Sequence, residues 1–410
     1  MQLVIYFLMI LSCTYADYPA LKAVLTEKGL RGVSEMMSVR IPSELMSAEI
    51  PEFRGVEDTG MGTVKSVISN IRVKHCSMSR PRIEFLKGTG LYVEVSQFTI
   101  VIGGNWAAEY SIFGVGGSFE VSVYDIKIST NLKLGEDAGR LSITTLSCSD
   151  DVGIVNIHFY GTSFFAQPFV NGYRGKIADM IRGQICPTIE RAFSELKRNQ
   201  HKISVDIPLD QYIYLSVPLT SSPAITDQRC ELEIKGEFYS RSSPSQPPFS
   251  SSKFKVQYAD NYMLSVAASE FFINSAAYAY LRSGALQINI RDDMIPKSSP
   301  IHLNTTQFGV HIPQLRTLYP DMEMQVLLYA SETPLFSFSS GVIDVHVLAA
   351  AKFSAVKPDG TLQPLFTLNL DVIFNGSVQI DKHLTGAFNM KDFKLILGSS
   401  EIGDFKVRLE

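Results

Sequence analysis

Hydrophobic and polar residues alternate along most of the chain, and the alternation is that of strands. Residues 91–102 (LYVEVSQFTIVI) are β-branched and aromatic and run into Gly103-Gly104, a turn signal. Phe119, Val121 and Val123 hold one parity, then Ile126 and Ile128 hold the other. That one-residue change of phase predicts a β-bulge, the device by which long strands coil. Similar alternation recurs over 152–159, 343–347 and 365–373. The regular turns between these segments predict a meandering antiparallel sheet closed into a barrel.

Helical periodicity interrupts this pattern. Ile177, Ile181, Ile185, Ile189 and Phe193 recur every four residues, and Met180 and Leu196 widen the stripe. Lys176, Asp179, Arg182, Glu190, Arg191 and Glu195 supply the other faces of an amphipathic helix of about twenty residues. Pro187 is expected to kink it. A second helix is expected over 28–46, with Pro42 limiting its continuity, and a third over 269–282, apolar nearly all round. A strand-like opening precedes a helix twice, at Lys22–Leu25 and at Met263–Val266.

A chain of 410 residues predicts two or three domains. The Ser- and Pro-dense stretch 240–253 (SRSSPSQPPFSSSK) reads as an extended, solvated linker. It divides the chain into an N-terminal domain, 17–239, and a C-terminal domain, 254–410. Hydrophobic residues at 45% and charged residues at 19% exclude a disordered chain. A net charge of −4 argues against a generic cationic binder of nucleic acid or anionic membrane.

Residues 1–16 (MQLVIYFLMILSCTYA) are apolar, end in small residues suited to cleavage, and are too short to span a bilayer. They read as a signal peptide, so the mature chain is expected to be secreted and soluble. Cys13 leaves with it, and Cys76, Cys148, Cys186 and Cys230 remain, an even number in an oxidising compartment. The sequons at Asn304 and Asn375 are N-glycosylation candidates in the same compartment.

Catalytic motifs are missing: the chain has no HExxH, GxSxG, Walker loop or CxxC. Gly114-Val115-Gly116-Gly117 lacks the third spaced glycine of a dinucleotide loop and leads into strand. Asp344 and His346 share one face of a strand; they read either as a base with its orienting carboxylate or as a solvated sheet face. The run 291–297 (RDDMIPK) reads as a turn more readily than as a metal site. No catalytic residue, metal or cofactor is assigned. The Ile/Met/Phe stripe either fills the core or lines a groove for acyl chains.

Ordered motifs along the mature chain resemble the bactericidal permeability-increasing protein and lipopolysaccharide-binding protein family. They include Tyr18-Pro19, Glu27-Lys28-Gly29-Leu30, Asn131-Leu132-Lys133-Leu134-Gly135 and Ser147-Cys148-Ser149. Lys235-Gly236-Glu237-Phe238-Tyr239-Ser240 and Pro247-Pro248-Phe249 follow. The most specific are Glu270-Phe271-Phe272-Ile273-Asn274 and Asp292-Asp293-Met294-Ile295-Pro296-Lys297. Phe308-Gly309, Ile312-Pro313 and Pro320-Asp321-Met322 complete the series. The resemblance implies an α+β fold of two pseudo-symmetric antiparallel β-barrels with long packed helices, joined by a central sheet into a boomerang. It implies an apolar pocket for phospholipid acyl chains in each barrel, with Ile177, Met180, Ile181 and Ile185 as pocket-wall candidates. It also implies a disulfide between Cys148 and Cys186, while Cys76 and Cys230 are either a second bridge or two free thiols.

Two departures qualify the resemblance. The stretch matching the lysine-rich tip hairpin of the family's antibacterial members, 104–113, has no Lys or Arg and contains Trp106, the one tryptophan. Trp106 is either packed in the hairpin or an anchor at a lipid headgroup layer, and Lys74, Arg80, Arg82 and Lys87 are the candidate replacement cations. The sequence also stops at Glu410, where the family continues, so the second barrel is expected to lack part of its cover: either the chain is a truncated product or isoform, or it forms a homodimer through that surface. The resemblance implies a secreted, non-enzymatic protein of innate immunity that binds lipopolysaccharide or phospholipid at bacterial or vesicle membrane surfaces. The alternative is an extracellular phospholipid-transfer protein with little preference for lipopolysaccharide. A hydrolase would rest on Asp344 and His346 alone.

Overall fold

The computed structural model describes residues 18–58, 63–110, 113–161, 178–179, 181–257, 260–339, 341–380 and 384–406. The apolar leader 1–16 and two pocket-wall candidates, Ile177 and Met180, lie outside the described residues. No helix among the described residues is long and apolar enough to cross a membrane.

Strand β1 (Leu21–Thr26) leads directly into helix α1 (Glu27–Ser47). Thr26 makes the junction: its backbone is extended and its hydroxyl oxygen accepts the Gly29 N–H, with Glu27 at the positive end of the helix. Pro42 does not interrupt α1. It lies on a half-exposed stretch, where solvent can serve the carbonyl that loses its donor. Leu30 and Ser34 face inward, and the Ser34 hydroxyl donates to the Pro81 carbonyl.

The N-terminal sheet comprises β2 (Phe53–Asp58), β3 (Thr63–Ser77), β4 (Arg82–Leu86), β5 (Gly90–Tyr110), β6 (Phe113–Asp137) and β7 (Arg140–Tyr160). Its order is β2-β3-β5-β6-β7, all antiparallel, with β4 on the Gly90 end of β5. The expected bulge in β6 is at Asp125, whose φ is 55°, and Gln97 of β5 (φ 53°) breaks the ladder at the same level. The extra residue resets the pleat, so Val123 and Ile126 both turn into the core at 3% exposure.

The Ile-striped segment is helical at 178–179 and 181–182, turns at 183–184, and resumes as α2 (Ile185–Asn199). The break precedes Pro187 instead of falling on it. Pro187 sits in the first turn of α2, where backbone N–H groups have no helical partner and its missing N–H costs little. Cys186, in the same turn, is disulfide-bonded to Cys148 of β7, with Cα atoms 5.7 Å apart. Cys76 on β3 and Cys230 are unpaired and buried.

In the centre, β8 (Asp206–Pro208), β9 (Ile213–Ser216) and β12 (Glu237–Ser240) form one sheet. β10 (Ala224–Ile225), β11 (Arg229–Ile234), β1 and β13 (Leu264–Ala268) form another in that order. β13 leads into α3 (Glu270–Arg282) as β1 leads into α1, and the two strands pair antiparallel, Leu21 to Ala268 and Leu25 to Leu264. The repeated strand–helix opening thus becomes a local two-fold within this sheet. The Ser/Pro segment has no regular ladder, yet it is docked and not merely solvated. Phe249 packs edge-on against Phe271 and Tyr278 of α3, and Lys253 lies over the Tyr18 ring. Aromatic contacts from distant elements override its composition.

The C-terminal sheet runs β14 (Gln287–Arg291), β15 (Met324–Ala330), β17 (Val342–Val356), β18 (Leu362–Ile380), β19 (Leu384–Ser400), with β16 (Leu335–Ser339) also on β17. Two short helices, α4 (Thr305–Phe308) and α5 (Pro313–Leu318), cover it. Their Phe308 and fully buried Leu315 join Met324, Phe353, Leu365 and Phe366 in one core. Phe353 and Phe366 stack with centroids 4.6 Å apart. Both barrels of the expected fold are present as curled six-stranded half-barrels: among the described residues, β2 does not pair with β7, nor β14 with β19.

Candidate lipid-binding face

The bulge at Asp125 and the docking of the α2 segment build one apolar face. Val123, Ile126 and Val152 are buried in it, and Phe98, Ile100, Val121, Ile128 and Val155 surround them. Ile181 and Ile185, two of the four pocket-wall candidates, pack directly on this cluster from the helical side. The disulfide holds the adjoining turn of α2 to β7. These aliphatic and aromatic side chains offer contact with hydrocarbon, their own or a ligand's.

The tip candidates are not brought together. Trp106 lies in β5 opposite Gly117 of β6. With no side chain there, its ring reaches across to meet Phe159 of β7 edge-on, at 5.7 Å. A Cβ on Gly117 would meet the Tyr160 carbonyl oxygen at 1.8 Å, which gives the glycine-rich run its role in strand packing. The Trp106 indole nitrogen is buried without a hydrogen-bond partner among the described residues. Lys74 pairs with Glu120 at 2.8 Å, Arg80 with Glu35 at 3.3 Å and Arg82 with Glu84 at 2.8 Å. Arg82 stands opposite Glu94 and Lys87 lies in the β4–β5 turn, at the far end of β5. At about 3.3 Å per residue, Glu94 lies roughly 40 Å along β5 from Trp106, and the Lys87 turn lies farther still. The cations do not form a cluster around the tryptophan.

The polar residues flagged in the C-terminal half have partners that spacing did not reveal. His346 Nε2 meets Asp371 of β18 at 2.8 Å, whereas Asp344 accepts a hydrogen bond from Asn375 Nδ2 at 2.8 Å. Asp344 is therefore not the carboxylate that orients His346. Both line a cavity of about 470 Å³ with Glu270, Ser337 and Lys391. Asp292 accepts the Leu303 N–H at 2.6 Å and contacts His302 Nδ1 at 3.1 Å, organising a loop. Among the described residues no group of acidic, histidine or cysteine side chains is arranged to hold a metal ion.

The family motif 270–274 gains a physical meaning. Asn274 exchanges two hydrogen bonds with the Phe336 backbone, at 2.7 and 3.0 Å, and Glu270 accepts the Phe338 N–H at 2.6 Å. Side chains one helical turn apart thus satisfy the open edge of β16 and tie α3 to the C-terminal sheet. Of the sequons, Asn375 is central in β18 with its amide nitrogen engaged. Asn304 caps α4 through its oxygen, leaving its nitrogen without a partner among the described residues.

Residues 29–197 match the N-terminal domain of the LBP / BPI / CETP family, and residues 208–410 match its C-terminal domain. The chain belongs to the LBP / BPI / CETP family. Among its relatives, the bactericidal permeability-increasing protein of Sebastes schlegelii is 31% identical over 400 residues, covering 96% of this chain and 85% of that protein. The lipopolysaccharide-binding protein of Homo sapiens is 28% identical over 398 residues, covering 95% and 82%. A crystal structure of lipopolysaccharide binding protein matches with a TM-score of 0.49 at 24% identity, covering 95% of this chain and 87% of that one. In this LBP / BPI / CETP chain the aliphatic face beneath α2 is the strongest candidate ligand surface. The hairpin bearing Trp106 carries no Lys or Arg over residues 104–113.

Proposed function

We propose that this chain is a secreted, non-enzymatic lipid-binding protein of innate defence that accepts acyl chains of lipopolysaccharide or phospholipid on its apolar faces. The observation that carries this reading is the aliphatic cluster of Val123, Ile126 and Val152, covered by Ile181 and Ile185, in a chain whose family match spans both domains. The cysteine bridge and the apolar leader 1–16 support an oxidising, extracellular destination. The direct test is saturable binding to purified lipid A by the secreted chain. Absence of a saturable signal removes the defence role, and lipid chemically altered after prolonged incubation removes the non-enzymatic one.

A second reading, phospholipid transfer with little preference for lipopolysaccharide, is favoured by the neutral tip. Residues 104–113 carry no Lys or Arg, Trp106 is turned onto Phe159, and Lys65 of β3 stands opposite Glu109. A polyanionic lipid therefore lacks its main Coulombic attraction there. Exchange of labelled phospholipid between vesicles, undiminished by excess lipid A, distinguishes this role.

A further inference from the structure

Lys197, Arg198, His201 and Lys202 fall within six residues that contain no acid, at the end of α2 and in the turn after it. Lys197, Arg198 and His201 face the turn joining β6 to β7, and between the two lies a cavity of about 480 Å³ lined by these three with Asp137, Arg140 and Ser194, among others. Cations in the last turn of a helix are expected simply as complements to its dipole. Arg140 is not explained that way, because it comes from the sheet.

Its guanidinium is fixed by two carbonyls, Nε donating to Ile203 and Nη1 to Ala138, each at 3.0 Å. Of the nearby carboxylates, Glu195 is ion-paired with Arg198 at 3.6 Å, while Asp137 and Glu136 accept from neutral donors, Gln200 Nε2 at 3.1 Å and the Gly139 N–H at 2.5 Å, and keep their charge. Lys197 and His201 have no hydrogen-bond or ion-pair partner among the described residues. The wall that carries them is tethered at its other end by the disulfide. A pre-positioned guanidinium, a free ammonium and the Ser194 hydroxyl around one hollow match the needs of a phosphate group.

We propose that this cavity, at the opposite end of β6 from the neutral tip, binds the phosphate of a glycerophosphate group. With a phospholipid as the source, the site holds the anionic headgroup of the lipid; that assignment alone rests on the lipid-binding reading above.

The test uses the full secreted chain, its Lys197→Gln variant, whose side chain touches no partner, and Arg140→Gln. Glycerol 3-phosphate is titrated while the His201 ring resonances are followed. Vesicles of phosphatidylcholine with and without phosphatidylglycerol are then used for partition. We expect a saturable His201 shift, weakened in both variants. We also expect partition onto phosphatidylglycerol vesicles to fall about fivefold per cation removed, with phosphatidylcholine partition unchanged. A saturable shift with unaltered vesicle partition supports the site and assigns it to a soluble phosphate. A His201 resonance unmoved by glycerol 3-phosphate overturns the proposal. The soluble probe needs no acyl pocket, so that failure is separate from a failure of lipid binding.

Discussion

Opening the Cys148–Cys186 bridge should loosen the wall of the candidate lipid-binding face in a measurable way. The two cysteines are 38 residues apart in sequence, and closing a loop of that length removes chain entropy worth about 4 kcal/mol at 25 °C. Domain stabilities are roughly 5–15 kcal/mol, so this single bond is a large share. Cys76 and Cys230 are unpaired, which leaves a reductant one bond to act on among the described residues. Trp106 is the sole tryptophan and packs on Phe159 of β7, the strand that carries Cys148. Its fluorescence therefore reports this sheet selectively. In urea, with a denaturant dependence of about 2 kcal/mol/M, reduction or the Cys148→Ala/Cys186→Ala pair should lower the midpoint by about 2 M. Coincident unfolding curves for oxidised and reduced protein would refute the reasoning that the bridge holds α2 to the sheet.

Burial and the neighbouring Glu231 push the Cys230 thiol up to about 11, and burial also raises Cys76; native protein should resist a disulfide-exchange reagent at pH 8 and expose both thiols only on unfolding. Rapid labelling of the native chain would contradict their placement. Asp210 is held below the usual carboxylate range by the Tyr280 hydroxyl and then by the Ile213 N–H. Its contribution to stability is present above about pH 4, the unfolded-carboxylate range, and is lost as pH falls through the depressed folded value. Tyr280→Phe should reduce the difference between denaturation midpoints at pH 6 and pH 3, and an unchanged difference would count against the link. Leu315 is fully buried in the C-terminal core, so Leu315→Ala should cost roughly 2–5 kcal/mol in a thermal or urea melt. A cost below that range would mean the core collapses around the cavity.

Local patterns in the sequence were strong enough to place much of the fold. The parity change between Val123 and Ile126 marks the bulge at Asp125, and the four-residue isoleucine spacing marks the surface that meets the sheet. The break falls at 183–184 and not at Pro187, because composition does not show whether a proline lies inside a helix or in its first turn. Partners set by strand register were hidden for a different reason. His346 finds Asp371 only because β17 and β18 pair as they do, and Trp106 reaches Phe159 only across Gly117. The Ser/Pro segment 241–253 has no buried residue, as its composition predicts, but the docking of Phe249 against Phe271 and Tyr278 comes from tertiary packing, which no local pattern records. The basic hollow behind α2 combines a hairpin turn with a helix end 60 residues later, so neither half is conspicuous alone.

The apolar faces of the folded chain are proposed to carry lipid. The decisive measurement is mass spectrometry of the organic-solvent extract from chain secreted by a eukaryotic host, alongside the same extract from an Ile181→Asp/Ile185→Asp variant. Stoichiometric phospholipid from the parent chain, lost or sharply reduced in the variant, is the predicted result. A lipid-free extract from correctly folded, disulfide-bonded parent protein would contradict it.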